Sequence, residues 1–597
     1  MADRLINRRD LDFMLHEWLQ LDRLLQLPAF AEHTRGTVDA VLDISEQLAA
    51  SLFLPHYKKA DRNEPQLTDD GVTVLPEIRP ALAAYAEAGL IAAAFDAEDG
   101  GLQLPQVVHS AAMGLFMAAN TATAGYVMLT TANARLLMTH GTAAQKAAFA
   151  QPQVDGRALG TMCLSEPQAG SSLSDIKTRA VADGVDELGQ RFRLFGNKMW
   201  ISGGDHDITP NIVHLVLAKA PGPDGRPVPG TKGISLFAVP KLLPGGERND
   251  VAVAGLNHKM GFRGTANCLL NFGEGTRHRP GDAAGAVGWL IGEVGQGLPI
   301  MFQMMNEARI GVGLGAAVLG YRGYLLSLDY ARQRAQGRPV ANKDPAAPQI
   351  PIIEHPDVRR MLLAQKAYAE GALALVLYCA RLVDEHKTAA TAAGRAEAEQ
   401  LLGLLTPIAK TWPSEFALAA NDLAIQVHGG YGYTRDFDVE QLYRDNRLNP
   451  IHEGTTGIQA LDLLGRKILR DNGAAMALLR ARVDATANAA PHEMAGYARA
   501  LGAAWDGVAA TAAQLGALND GRALDNATPF LSAFGHAVMG WLWLDQAIAA
   551  PGDDSFHVGK RQACRWFFEF EMPKVALHLA VVASLTDVAA AMPEMAF

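Results

Sequence analysis

Between Gly156 and Glu274 the chain drops the periodicity that governs it on either side, and no other feature constrains its fold as much. From Leu11 to about Gln151 apolar residues recur at helical spacing. Leu19, Leu21, Leu24, Leu25 and Leu27 lead into Val38–Leu54 and Leu82–Ile91, and Ala111–Leu137 is an Ala/Met-rich run apolar on most faces. Past Gly156 the segments turn short and alternating, as in Arg191-Phe192-Arg193-Leu194-Phe195 and Ile212–Leu217. Turn clusters at Pro221-Gly222-Pro223-Asp224-Gly225 and Pro244-Gly245-Gly246 separate them. Helix returns from Gly297, in Met301–Ala335 and Pro356–His386, with a proline-rich loop over Gln336–Pro351 between them. Leu401–Val427 is a further helix in which Pro407 and Pro413 predict kinks. Ala-rich helical stretches, Ala474–Leu518, Pro529–Ala549 and Val558–Ala591, complete the chain. The pattern predicts a mainly α protein with a central antiparallel β domain, a barrel or sandwich. Its expected domains are a helical one over 1–157, the β domain over 158–276, a four-helix bundle over 277–472 and a helical extension over 473–597.

Composition narrows the function classes. At 597 residues the chain exceeds what one core can hold, and about three or four domains are expected. Hydrophobic residues make up 49% and charged ones 19%, the balance of a globular protein. A net charge of -10 speaks against a nucleic-acid-binding surface on the whole molecule. Cys163, Cys268, Cys379 and Cys564 lie far apart without CxxC spacing, which fits a reducing compartment and points to neither a disulfide framework nor a metal site. Met1–Asp12 has no apolar signal core, and no run approaches ~20 uninterrupted apolar residues. A cytoplasmic protein without a membrane span is expected.

Three segments carry chemistry. Pro450-Ile451-His452-Glu453-Gly454-Thr455-Thr456-Gly457 breaks two helical patterns and places one carboxylate on a backbone bent by Pro and Gly. Glu453 there reads either as a cap for the next helix or as a catalytic carboxylate. Met162-Cys163-Leu164-Ser165-Glu166-Pro167-Gln168-Ala169-Gly170-Ser171-Ser172 is a plain turn or a loop whose N–H and hydroxyl groups take an anionic or heteroaromatic ligand. In Asn197–Gly204, Trp200 and Ser202 stand two apart on one strand face, where the indole is either core or a cofactor wall.

Taken in order, these segments resemble the acyl-CoA dehydrogenase family over about residues 30–470. The landmarks are Leu164-Ser165-Glu166-Pro167 with Gly170-Ser171, Lys198-Met199-Trp200-Ile201-Ser202, Gly233-Ile234-Ser235, Lys259-Met260-Gly261, Gln426–Tyr433, Tyr443-Arg444-Asp445 and His452-Glu453-Gly454-Thr455. The tail after Leu469 is similar to the longer branch that includes the 3-methylthiopropionyl-CoA dehydrogenases. The resemblance implies FAD held between the β domain and the C-terminal helical domain. Met162, Leu164 and Ser165 would meet its ring, with Ser171 nearby; Trp200 and Ser202 would wall it, and Thr455 and Gly457 would complete the near shell. Gln426 and Gly430 would reach the FAD of a neighbouring subunit, which implies a homodimer or homotetramer. Glu453 would be the base that removes the substrate α-proton, giving a trans-2-enoyl-CoA. Ser171, Asn306, Arg309 and Gly454 would lie along the acyl-CoA thioester arm. No metal is implied, and the electrons would pass to an electron-transfer flavoprotein.

The chain departs from the family pattern in places. His452 stands where many members have Tyr, so an imidazole either alters the pKa of Glu453 or merely fills space. Ser172 replaces a common acid. The Arg334–Pro339 loop lacks the usual Phe, which leaves Arg334, assigned to the FAD pyrophosphate, in competition with Arg332. A flavin-dependent acyl-CoA oxidase shares the same fold and base. A DNA-associated relative would need a basic extension, whereas residues 473–597 hold eight basic and twelve acidic side chains. Packing of the extension on its own subunit or a partner is expected.

Overall fold

The computed structural model describes residues 5–222, 225–226, 228–341, 344–518 and 521–597; Pro223 and Asp224 of the turn expected at 221–225 lie outside the described residues. The chain forms two compact units. One comprises Asp39–Leu104 and Leu115–Ala308, the other Met1–Val38, Pro105–Gly114 and Arg309–Phe597.

The first unit is built on an eight-stranded sheet. Its strands run Ala286–Ile291, Ile234–Pro240, Asn211–Lys219, Arg179–Asp186, Gly189–Ser202, Asn267–Phe272 and Val251–Leu256, with Ala158–Cys163 beside Asn211–Lys219. Ala286–Ile291 also pairs with Gly189–Ser202, which closes five strands into a barrel. Most pairings are antiparallel, as the alternation predicts. Ala158–Cys163, however, runs parallel to Asn211–Lys219 from Ala158↔Asn211 to Cys163↔Val216, and Arg179 pairs parallel with Lys219. The first strand is buried along most of its length, so it lacks the in–out alternation that marks a half-exposed antiparallel strand. From the helix Gln106–His140, Asn133 donates to the carbonyls of Thr161 (3.0 Å) and Val213 (2.9 Å), tying helix to barrel at the parallel pair.

The second unit is helical. Ala392–His428 runs as one helix through Pro407 and Pro413. Pro413 has no N–H to offer the Ala409 carbonyl one turn earlier, and that carbonyl lies against Gly313, where an added Cβ would be 1.9 Å from it. Gly320 meets Ala417 in the same way (2.7 Å) and Gly323 meets the Asn421 amide (2.6 Å). Close approach along this seam sets Gly297–Gln333 against the proline-containing helix, from which the candidate site is later built.

The extension packs on its own chain. Its central helix, Ala527–Ile548, is buried along almost its whole length and lies against Pro356–Thr388, where a Cβ on Gly371 would meet Met539 and Trp543 at 2.8 Å. Tyr368 donates to Glu571 (2.8 Å), Arg482 donates to the Tyr378 hydroxyl (2.6 Å), and Trp543 donates to the Ala367 carbonyl (3.3 Å). Lys560, fully buried, pairs with Asp10 and with Glu370 (2.9 Å), joining the N-terminal segment, bundle and extension in one ionic core. Gln106–His140 and Gly297–Gln333 are long and apolar enough to cross a bilayer by composition, which counting uninterrupted apolar runs does not detect; 83% and 72% of their apolar windows are buried inside the fold.

Gly320→Ala is expected to lower stability by about 1–3 kcal/mol through overpacking against Ala417. Gly502→Ala, on a helix with nothing within 4 Å, should leave the thermal midpoint unchanged or raise it. Equal effects of the two substitutions on the melting curves would refute the seam.

Candidate active site

In the barrel unit a buried ion pair shapes the loop after Ala158–Cys163. Lys198, fully buried, donates to Glu166 (2.9 Å) and to the Leu164 carbonyl (2.9 Å). Glu166 also accepts from the N–H groups of Lys177 (2.6 Å) and Thr178 (3.0 Å) and from Gln168 (2.8 Å). Burial opposes its ionisation, but the Lys198 charge and these donors prevail and hold the carboxyl down at about 2. The Met199 N–H meets the Ser165 carbonyl at 2.9 Å. Immediately after, the register of Gly189–Ser202 against Asn267–Phe272 slips between Lys198 and Ile201, a bulge that carries Trp200 at φ 66°. Trp200 is therefore 59% exposed: the indole is a surface group and no part of the core. The bulge also removes the simple two-apart alternation expected for Trp200 and Ser202. Ser202 is half-buried and accepts from Asn267 (3.3 Å). Met162, Leu164 and Ser165 are half-buried, while Ser171 and Asn306 are exposed.

In the helical unit Glu453 occupies a left-handed turn, φ 54°, followed by Gly454 at φ 91°. Gln459, fully buried, donates to the Glu453 carbonyl (2.9 Å) and toward that of Gly454 (3.5 Å), and a Cβ on Gly454 would sit 2.6 Å from the Gln459 amide. Glu453 does not cap the following helix. Thr455 does, accepting from the Ile458 N–H (3.4 Å). Part of the residue's surface stays accessible, but its carboxyl lies deep. Burial pushes it up to about 7, against the charges of Arg309 and Lys410. Arg309 is 7% exposed and donates to Asp462 (3.0 Å), so it is an interior ion pair and no helix-surface charge. Lys410 on Ala392–His428, Gln459 and the asparagines below were missed from sequence. A single Lys inside the apolar run Leu401–Ile408 to Phe416–Ala420 was the available signal for the first.

His452 resolves through hydrogen-bond direction. Its Nε2 lies 3.1 Å from Asn449 Oδ1; Asn449 Nδ2 donates to Asn446 Oδ1 (2.9 Å), and Asn446 Nδ2 donates to Asn421 Oδ1 (2.7 Å) and the Ala316 carbonyl (3.2 Å). Asn421 Nδ2 ends the chain on the Leu319 carbonyl at 2.9 Å. Backbone carbonyls only accept, so each amide is oriented by the next and His452 must donate from Nε2. Burial, then the Lys410 charge, lowers its pKa to about 3. The imidazole is a neutral strut.

A third set lies on the surface of the same unit. Gln426 and Gly430 are exposed at the end of Ala392–His428, where Gly429 turns at φ 60° and a Cβ on either glycine would meet nothing within 4 Å. Arg334 lies over the Tyr431 ring, 5.9 Å from its centroid, which gathers Arg334 with Gln426 and Gly430. Gly457 is likewise open on its Cβ side.

Family models match nearly the whole length: the acyl-CoA dehydrogenase N-terminal domain over 40–157, middle domain over 161–274, C-terminal domain over 295–469, and an acetyl-CoA dehydrogenase C-terminal-like domain over 479–593. The chain belongs to the acyl-CoA dehydrogenase family and is an oxidoreductase acting on acyl-CoA. It is 35% identical to 3-methylmercaptopropionyl-CoA dehydrogenase of Ruegeria pomeroyi, over 91% of both chains. It is 34% identical to the broad-specificity linear acyl-CoA dehydrogenase FadE5 of Mycobacterium tuberculosis, over 99% of both. The crystal structure of an acyl-CoA dehydrogenase complexed with FAD from Bacillus anthracis superposes with a TM-score of 0.73 at 20% identity, covering 95% of this chain and 90% of that one.

Lys198→Met should destabilise the fold by about 3–5 kcal/mol, because it strands a buried carboxylate, and Glu166→Gln added to it should recover much of the loss. Additive losses in thermal unfolding would refute the pairing. The depressed carboxyl contributes stability above its unfolded value, and this is lost as pH falls toward about 2. For His452, ¹⁵N NMR at pH 5.5 is expected to report the neutral Nε2–H tautomer; an imidazolium signal there would overturn the relay.

Proposed function

We propose that the protein binds FAD and an acyl-CoA thioester and converts the acyl group to its trans-2-enoyl form, with Glu453 as the base. The observation that carries this reading is the deep carboxyl of Glu453, held at about 7 by burial, on a turn that presents its own N–H. A base works best with a pKa near the working pH. The residues present suit FAD. Trp200 offers an exposed indole face at a bulge fixed by the Lys198–Glu166 pair, and Gly429, Gly430 and Gly457 offer backbone that a flavin nucleotide can approach closely. Met162, Leu164, Ser165, Ser171, Ser202 and Thr455 would hold the ring, with Arg334 at the pyrophosphate. The Bacillus anthracis relative with its FAD supports the cofactor. FAD, when bound, accepts the β-hydride of the substrate.

The protein's own residues perform the rest. Glu453 takes the α-proton onto its carboxylate. Its backbone N–H, freed by the left-handed turn, donates to the thioester carbonyl and stabilises the enolate charge that develops there. As the family resemblance implies, Gly454 and Arg309, and Ser171 and Asn306 of the barrel unit, would each contribute to holding the thioester arm; Arg309 would act from its pair with Asp462. His452, its pKa lowered to about 3 by burial, is a weaker base than Glu453. Gln426 and Gly430 serve the FAD of a second subunit, so the working form is a homodimer or homotetramer. An electron-transfer flavoprotein takes the electrons onward.

Glu453→Gln should retain yellow, FAD-loaded protein and lose anaerobic bleaching by acyl-CoA by about 10²–10⁴-fold. In the unaltered enzyme kcat/KM should fall tenfold per pH unit below about 7. Bleaching that survives the substitution, across a panel of linear and thioether acyl-CoAs, would refute the assignment.

A further inference from the structure

Lys410 is fully buried, and its ammonium has no hydrogen-bond partner among the described residues. Such a cation is costly inside a protein and is kept only where a charge compensates it. Its position follows from contacts on both sides. Ala409, its neighbour, lies against Gly313, and Glu415, further along the same helix, accepts from the Thr456 hydroxyl at the start of the helix that follows Glu453. Lys410 thus stands in the helix that supports the Glu453 turn.

The charges around it separate cleanly. Arg309, on Gly297–Gln333, is hydrogen-bonded to Asp462, and Arg466 also stands 3.7 Å from that carboxylate. Arg309 acts on Glu453 more strongly than Lys410 does, but its guanidinium is engaged by Asp462, whereas the Lys410 ammonium has no hydrogen-bond partner among the described residues. Glu415 is engaged by Thr456. His452 is neutral and donates to Asn449. Glu453 is the carboxylate that acts most strongly on Lys410, ahead of Glu415.

We propose that Lys410 is the counter-charge of Glu453, a positioning residue that acts through the base by favouring its ionised form in a site that otherwise suppresses it. The inference rests on the reading of Glu453 as the base. Burial and the Arg309 charge lower the ammonium's own pKa to about 8, while Glu453 and Glu415 raise it. The ammonium's pKa thus stays above that of Glu453, so the cation is present as Glu453 begins to ionise.

The test uses the FAD-loaded full-length enzyme. Lys410→Met, with Lys410→Gln as a second neutral variant, should move the acid limb of the kcat/KM profile up by about one pH unit or more. That is about a fivefold loss at pH 7, recovering above pH 9. Lys410→Arg should stay near the parent curve. Infrared difference spectra against Glu453→Gln supply a readout independent of turnover: the protonated carboxyl band of Glu453 should persist to higher pH in the neutral variants. An unmoved band and an unmoved acid limb in folded Met or Gln variants overturn the proposal while leaving Glu453 as base. Turnover by Glu453→Gln overturns the base reading itself.

Discussion

A carboxylate that must lie inside the protein and still ionise is the constraint on which the rest of the helical unit depends. Raising Glu453 from its ordinary value near 4.5 to about 7 means that its charged form, well above pH 7, is disfavoured by about 3 kcal/mol relative to the unfolded chain. The sign is that of a destabilising group: the penalty is absent at low pH and grows as pH rises through the interval. Arg309 and Lys410 offset part of the penalty, and the groups nearest the turn leave the rest in place. Arg309 is engaged by Asp462, His452 is held uncharged, and Gln459 spends its amide on the backbone of the turn. A fully paired Glu453 would be a stable salt bridge with the low pKa of Glu166. The contrast between these two acids, one saturated with donors and one without a side-chain ion pair among the described residues, separates a structural carboxylate from the one proposed as the base.

Support for the turn comes from helices brought unusually close. Because Pro413 frees the Ala409 carbonyl and Gly313 leaves room for it, two long helices meet backbone to backbone. That proximity lets Asn421 reach the Leu319 carbonyl and Asn446 the Ala316 carbonyl, and so anchors the relay that ends at His452. The ionic core around Lys560 and the Tyr368–Glu571 bond fix the extension to the bundle's outer helix on the same chain. A rigid scaffold of this kind holds a strained loop at low cost in precision.

The helix–β–helix order was legible in the sequence because period and turn chemistry are local properties. The Ala158–Cys163 strand was less so: buried on both faces, it carries no alternation to reveal a parallel neighbour. Glu453 stood out because Pro450 and Gly454 bracket it. Lys410, Gln459 and the Asn421–Asn446–Asn449 series did not, since their meaning lies in partners from other helices; a Lys in an apolar run hints at burial but not at which charge it faces. His452 was visible as a departure, but its protonation depends on a hydrogen-bond direction that only three-dimensional neighbours define. Prolines at 407 and 413 suggested kinks, whereas the packing against Gly313 accommodates the freed carbonyl within one helix.

Trp200 and Glu453, the proposed flavin wall and the proposed base, share a backbone property that their residue types conceal. Both sit at positive φ, 66° and 54°, a region that costs a non-glycine residue about 1–3 kcal/mol when the surroundings enforce it. In each case a buried polar side chain does the enforcing. Lys198 grips the Leu164 carbonyl and Glu166 beside the Trp200 bulge, and Gln459 grips the Glu453 carbonyl beside Gly454. A strand in register would have turned the indole into the barrel wall or fully outward with its neighbours. A regular helix start at Glu453 would have tied its N–H into a capping hydrogen bond and left the carboxylate in water. Strain at these two points is thus what sets an indole on the surface of a barrel strand and leaves a buried carboxyl and an unpaired turn at a helix junction, the two features on which the proposed function rests.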